Sequence, residues 1–162
     1  MTAQRITALL AATALWSLMG SAQAQAPQYG ANISYDQAHK VMVAAMADAR
    51  KQNIPMAVAI VDTGGNLMAF ERMDNTQIGS VAVAQDKAAS AALYRRSTKV
   101  FQDALAGGGA GLRVLTLRGA NAVEGGLPIV VDGKIIGGVG VSGGSAEQDG
   151  VVAKAGLDGL AK

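Results

Sequence analysis

The stretch Leu127-Pro128-Ile129-Val130-Val131-Asp132-Gly133-Lys134-Ile135-Ile136-Gly137-Gly138-Val139-Gly140-Val141 decides the fold. Two β-prone runs flank Asp132-Gly133, a pair that tolerates the positive φ angles of a tight type I′ turn. The segment predicts an antiparallel hairpin with strands over 127–131 and 134–141. Gly138-Val139-Gly140-Val141-Ser142-Gly143 also matches G-x-G-x-x-G literally. A dinucleotide fold would need those glycines at a strand-to-helix turn, with a parallel strand to follow. Here they lie within the strand, and one helix exhausts the chain. Their better explanation is close packing of a helix or a neighbouring backbone on the strand.

The pattern continues on both sides. Gly143-Gly144 break the strand, and Ser145 caps a last helix to about Leu160, with Gln148 in the capping-box position. At the other end, residues 25–33 read as a flexible lead. Ser34, with Gln37 three residues later, opens a helix that runs to about Asn53, with Ala38, Val41, Met42, Ala45 and Ala49 on one face. Runs over 56–61 and 66–72 flank Asp62-Thr63-Gly64-Gly65 and predict a second hairpin. Residues 78–95 are alanine-rich and predict a helix, and Ser97 caps a shorter one through Leu105. Gly107 to Gly111 is a loop, and 112–117 is expected as a strand. The order is α-β-β-α-α-β-β-β-α. Hairpins dominate over βαβ units, which gives an α+β fold with a largely antiparallel sheet.

Composition narrows the chemistry. The 162 residues are 50% hydrophobic and 16% charged, with one histidine and no cysteine. That excludes disulfides, thiolate metal sites and a cysteine nucleophile. The basic residues are not clustered, so nucleic acid is not an expected partner. Residues 1–24 read as a signal peptide: Arg5, an apolar run from Ile6 to Met19, then Ala22-Gln23-Ala24 before the cut. Removing 24 of 162 residues leaves 138, with a formal charge of +1 and no tryptophan. The expected location is periplasmic or extracellular, with no membrane span after cleavage. No serine-centred elbow, paired acid/base spacing or metal cluster stands out, so catalytic residues are unknown.

Several motifs resemble one family. Ala59-Ile60-Val61-Asp62, Gly64-Gly65, Arg72-Met73-Asp74 and Asp86-Lys87-Ala88 are similar to the GlcG/HbpS-type, or haem-degrading, domain family. So are Glu124 through Gly133, Ile136 through Gly143, and Glu147-Gln148-Asp149. The resemblance spans residues 34–162 and extends to the C-terminal domain of PduO-type proteins. It implies profilin-like α/β/α layers, a five-stranded sheet flanked by helices, a homo-oligomer, and haem as a ligand of some members.

The candidate site residues follow from that. His39, the only imidazole, lies at the margin of the first helix's apolar stripe. It is a candidate axial haem ligand, or else a partly exposed helix or interface residue. Tyr94 and the methionines are the other candidate ligands, although Met42, Met46, Met56 and Met68 sit at core-like positions. Arg72 and Lys87 are candidate contacts for a carboxylate or haem propionate, and Asp74 and Asp86 could pair with them instead. Gly143, Gly144 and Ser145 lead into a helix N-terminus that could hold an anion, unless Glu147 and Asp149 already occupy it. The leading expectation is a secreted haem-binding protein for capture, buffering or sensing, with an envelope sensor or transporter as partner. The alternatives are an enzyme or accessory protein for a small carboxylate such as glycolate, and a structural oligomer.

Overall fold

A computed structural model of the chain describes residues 26–161. The predicted signal peptide lies outside these residues. The elements are β1 (Gln28–Tyr29), α1 (Tyr35–Gln52), β2 (Ala57–Asp62), β3 (Leu67–Arg72), α2 (Ser80–Tyr94) and α3 (Lys99–Ala106). A 3-10 segment (Gly109–Thr116), β4 (Gly126–Val131), β5 (Lys134–Ser142) and α4 (Ala146–Leu160) follow.

The β4–β5 hairpin forms around Asp132 and Gly133, whose φ angles are 49° and 72°. β5 pairs antiparallel with β4 on one side and with β2 on the other, and β3 closes the far edge beside β2. β1 runs parallel to the start of β5, at Gln28↔Lys134 and Tyr29↔Ile135. Ile135 is also next to β4, so β1 must lie on the β2 side, end to end with β2. The sheet therefore has five strands and is mostly antiparallel.

Two expectations change here. The lead over 25–33 is tied down from Gln28 onward: the Gly30 and Ile33 amides donate to Ile135 and Ile136, and Ile33 is buried. Residues 112–117 are not a strand. They wind into the 3-10 segment after Gly108 and Gly109, which both take positive φ. The fifth strand is β1, which takes the free stretch beside the start of β5. The count of five strands was thus right with one member exchanged.

The sheet separates two layers of different character. α1 and α4 cover one face through Val41, Met42, Ala45, Val152 and Ala153, packed on Val58, Ile60, Ile129, Val139 and Val141. Both helices begin in a complete capping box, at Ser34 with Gln37 and at Ser145 with Gln148. The other face is thin. Ala84, Ala88 and Ala92 of α2 rest on Ala57, Ala59 and Val61 of β2. Under α2, a Cβ at Gly138 or Gly140 would collide with the carbonyl oxygens of Ala88 and Ala84. The β5 glycines are therefore the seat of α2, as the packing interpretation of the G-x-G pattern requires.

The β2–β3 turn is held by one carboxylate. Asp62 accepts from the amides of Gly64 at 2.8 Å and Asn66 at 2.9 Å, and from the Asn66 side chain. Burial opposes its charge, but these bonds outweigh it and hold the Asp62 carboxyl below its ordinary value.

Replacing Gly140 by Ala should destabilise the fold by about 1–3 kcal/mol, because backbone must move to admit the methyl group. Gly79, with φ −60° and nothing near its missing Cβ, should accept Ala at no cost. Urea unfolding of the two variants checks this. Equal stability would show that α2 does not depend on the close approach.

Candidate functional site

The capping box at Ser34 fixes where α1 starts and therefore which face each residue takes. Tyr35, His39 and Val43 follow at four-residue intervals and share one face. All three are exposed, Tyr35 at 70% and Val43 at 52%. The Tyr35 and His39 rings stack, 6.1 Å between centroids and 4° from parallel. Among the described residues, no hydrogen bond engages the His39 ring nitrogens.

The same face continues to Met46 and Arg50. These join Glu71, Arg72, Met73 and Asp74 around an open cleft of about 420 Å³. Thr76 steadies the loop below, its hydroxyl donating to the carbonyl oxygens of Met56 and Met73. Neither Arg50 nor Arg72 forms an ion pair with another described residue. The cleft is therefore bordered by two guanidinium groups with free donors and walled partly by methionine. Eleven residues separate His39 from Arg50, an axial rise of roughly 16 Å. His39 and Arg72 thus occupy two ends of one surface rather than one pocket.

The other candidates lie elsewhere and face inward. Lys87, 1% exposed, donates to Asp149 at 2.7 Å and to the Val141 carbonyl oxygen at 3.0 Å. It does not pair with Asp86. Burial pushes the Asp149 carboxyl above its ordinary range, opposed by Lys87 and by the Gly144 and Gly143 amides. Gly144 donates to Asp149, and Ser145 donates through its amide to Gln148 and through its hydroxyl to Glu147. The Gly143–Ser145 turn thus receives Asp149 and Glu147, the alternative set beside an external anion.

Tyr94 donates its hydroxyl to the Arg118 carbonyl oxygen at 2.8 Å and packs edge-on against Phe101. Met42, Met46 and Met56 are buried, whereas Met68 on the edge strand is 37% exposed. Arg50 escaped the sequence reading. Only its heptad relation to Val43, continuing the His39 face, could have pointed to it.

The donor set suits a flat, apolar, anionic ligand on the α1 face. One free imidazole lies beside an aromatic ring and an exposed valine, and two arginines lie further along. One chain offers a single imidazole, so ligation from both sides would take a second copy across a symmetry axis.

A family model described as haem-degrading protein HbpS-like matches residues 33–158. Protein GlcG of Escherichia coli K12 is 40% identical over 110 residues, covering 68% of this chain and 81% of GlcG. The Klebsiella pneumoniae protein ORFY has a solved structure with a TM-score of 0.75 at 30% identity, covering 89% of this chain and 97% of that one. A solved PduOC–haem complex has a TM-score of 0.72 at 30% identity, covering 79% of this chain and 94% of that one.

Lys87 and Asp149 provide a direct test of the internal pairing. Asp149→Leu leaves a buried ammonium without its counter-charge and should cost about 3–5 kcal/mol. Lys87→Met with Asp149→Leu should recover most of that loss in urea unfolding. A single variant as stable as the wild type would show that the pair does not hold the helices.

Proposed function

Since the chain belongs to the HbpS-like haem-degrading protein family, we propose that it binds haem at the exposed face of α1. His39 is the axial ligand in this reading, and Arg72 contacts a propionate at the far end of the surface. The observation that carries it is the unengaged His39 imidazole, stacked on Tyr35 and level with Val43. The solved PduOC–haem complex supports the ligand class. When bound, haem supplies an iron with open coordination and a broad apolar ring. The chain's part is to offer a nitrogen donor, a stacking surface and one cationic end.

The face is open, so a second copy of the chain is proposed to cover it in a homo-oligomer. Residues 1–24 are proposed to direct export, which places haem capture, buffering or sensing in the periplasm or outside the cell. An envelope sensor or transporter is the proposed partner.

The Arg50–Arg72 cleft favours a second reading, in which the ligand is a small carboxylate such as glycolate. Two guanidinium groups can each fork a carboxylate.

Hemin titration separates the two. Binding should produce a Soret band, and His39→Ala should shift or weaken it while thermal unfolding stays unchanged. No spectral change at saturating hemin would overturn the haem reading. Stabilisation by glycolate, about 2.7 kcal/mol at a hundredfold excess over Kd, would then favour the carboxylate.

A further inference from the structure

Four exposed large apolar side chains lie close together in sequence on α3 and the 3-10 segment. Leu112 is 53% exposed, Leu115 73% and Leu117 37%, with Val100 of α3 at 47%. Side chains three apart eclipse one another in a 3-10 helix. Leu112 and Leu115 therefore form one outward ridge, while Val114 turns inward and is buried. A Cβ at Gly111 would collide with the Ala104 carbonyl, so the segment lies directly on α3. Contact at that distance gives the leucine ridge a firm base. Beside it, Phe101, Ala104, Val114 and Leu117 line a shallow crevice of about 230 Å³, with Arg96 and Arg113 at its rim.

Three arginines flank the ridge, and the nearby acids cluster about Lys99 on α3. Arg96, Arg113 and Arg118 are exposed, and none forms an ion pair with a described residue. The neighbouring acids belong to Lys99: Asp103 bonds it at 2.7 Å, and Glu124 and Glu147 add to its field. A protruding apolar ridge with unpaired cations is a contact surface.

Three occupants are conceivable, and the observations favour one. A second copy meeting this face about a two-fold axis would bring both sets of three arginines into one interface, which opposes association. An acidic protein partner would fill the crevice, whereas Leu112 and Leu115, the more exposed leucines, stand outside its lining. We propose that this face docks on an anionic bilayer. Leu112 and Leu115 enter the headgroup boundary, and the three arginines meet lipid phosphates. The surface is separate from α1 and does not rest on the haem reading.

The test is co-flotation of the chain beginning at Gln25 with vesicles. One set is pure phosphatidylcholine and the other an equimolar mixture with phosphatidylglycerol. The protein should float with the mixed vesicles, less so as salt rises, and stay behind with pure phosphatidylcholine. Arg113→Gln with Arg118→Gln should weaken binding roughly thirtyfold at low salt. Leu112→Gln with Leu115→Gln should abolish it. Unchanged unfolding midpoints would show that both variants remain folded; if one unfolds, Leu115→Gln alone replaces it. Absence of flotation, or flotation insensitive to both variants, overturns the proposal. So does a fall in sedimentation mass of the leucine variant without vesicles, which would make the ridge a contact between copies.

Discussion

Everything on the thin side of the sheet depends on two side chains that are absent. Gly138 and Gly140 let the backbone of α2 come down onto β5, where any Cβ would meet the carbonyls of Ala88 and Ala84. That approach explains why α2 faces the sheet with alanine, since larger residues would lift it away. It also carries Lys87 to the end of β5, within reach of the Val141 carbonyl and of Asp149 on α4. α2 and α4 lie on opposite faces of the sheet, so this buried pair ties the two layers together around its end. Dispersion and exclusion of water hold the rest of α2. The pair gives it a fixed longitudinal position, because sliding by one turn would strand a buried charge.

The thick side of the sheet takes a different part. α1 turns its buried face to the sheet and α4, and leaves Tyr35, His39, Val43 and Arg50 along its outer flank. The surface is open and half-made. It offers one nitrogen donor, one ring to stack on and, at its far end, two arginines that pair with no described acid. Its donors are spread along α1 and into the cleft beside β3 and do not meet at one point. The charged groups that do converge, Lys87 and Asp149, are consumed in holding the fold.

Local signals in the sequence identified most of the architecture. Both capping boxes, both hairpin turns and the alanine helix occur where residues within four positions of each other demand them. The failures share a cause. Residues 112–117 have apolar residues without strict alternation, and they pack on α3 as a 3-10 segment instead of extending a sheet edge. Gln28–Tyr29 has no strand signature, and joins the sheet because the start of β5 had an unpaired edge. Lys87 seemed available to an anion because its partner lies 62 residues away, beyond the range of any spacing rule.

By itself, the sequence determined the elements that short-range stereochemistry controls: where helices start, where strands reverse, and which strand is bare enough to receive a helix. It also determined the family and the single imidazole around which ligand binding can be tested. Tertiary structure decided which charges remain available. It buried Lys87 against Asp149, filled the Gly143–Ser145 turn with the chain's own acceptors, and brought Arg50 beside Arg72. The physical reason is that a charge is free or satisfied according to its neighbours in space. Those neighbours come from distant parts of the chain, chosen by packing across the sheet.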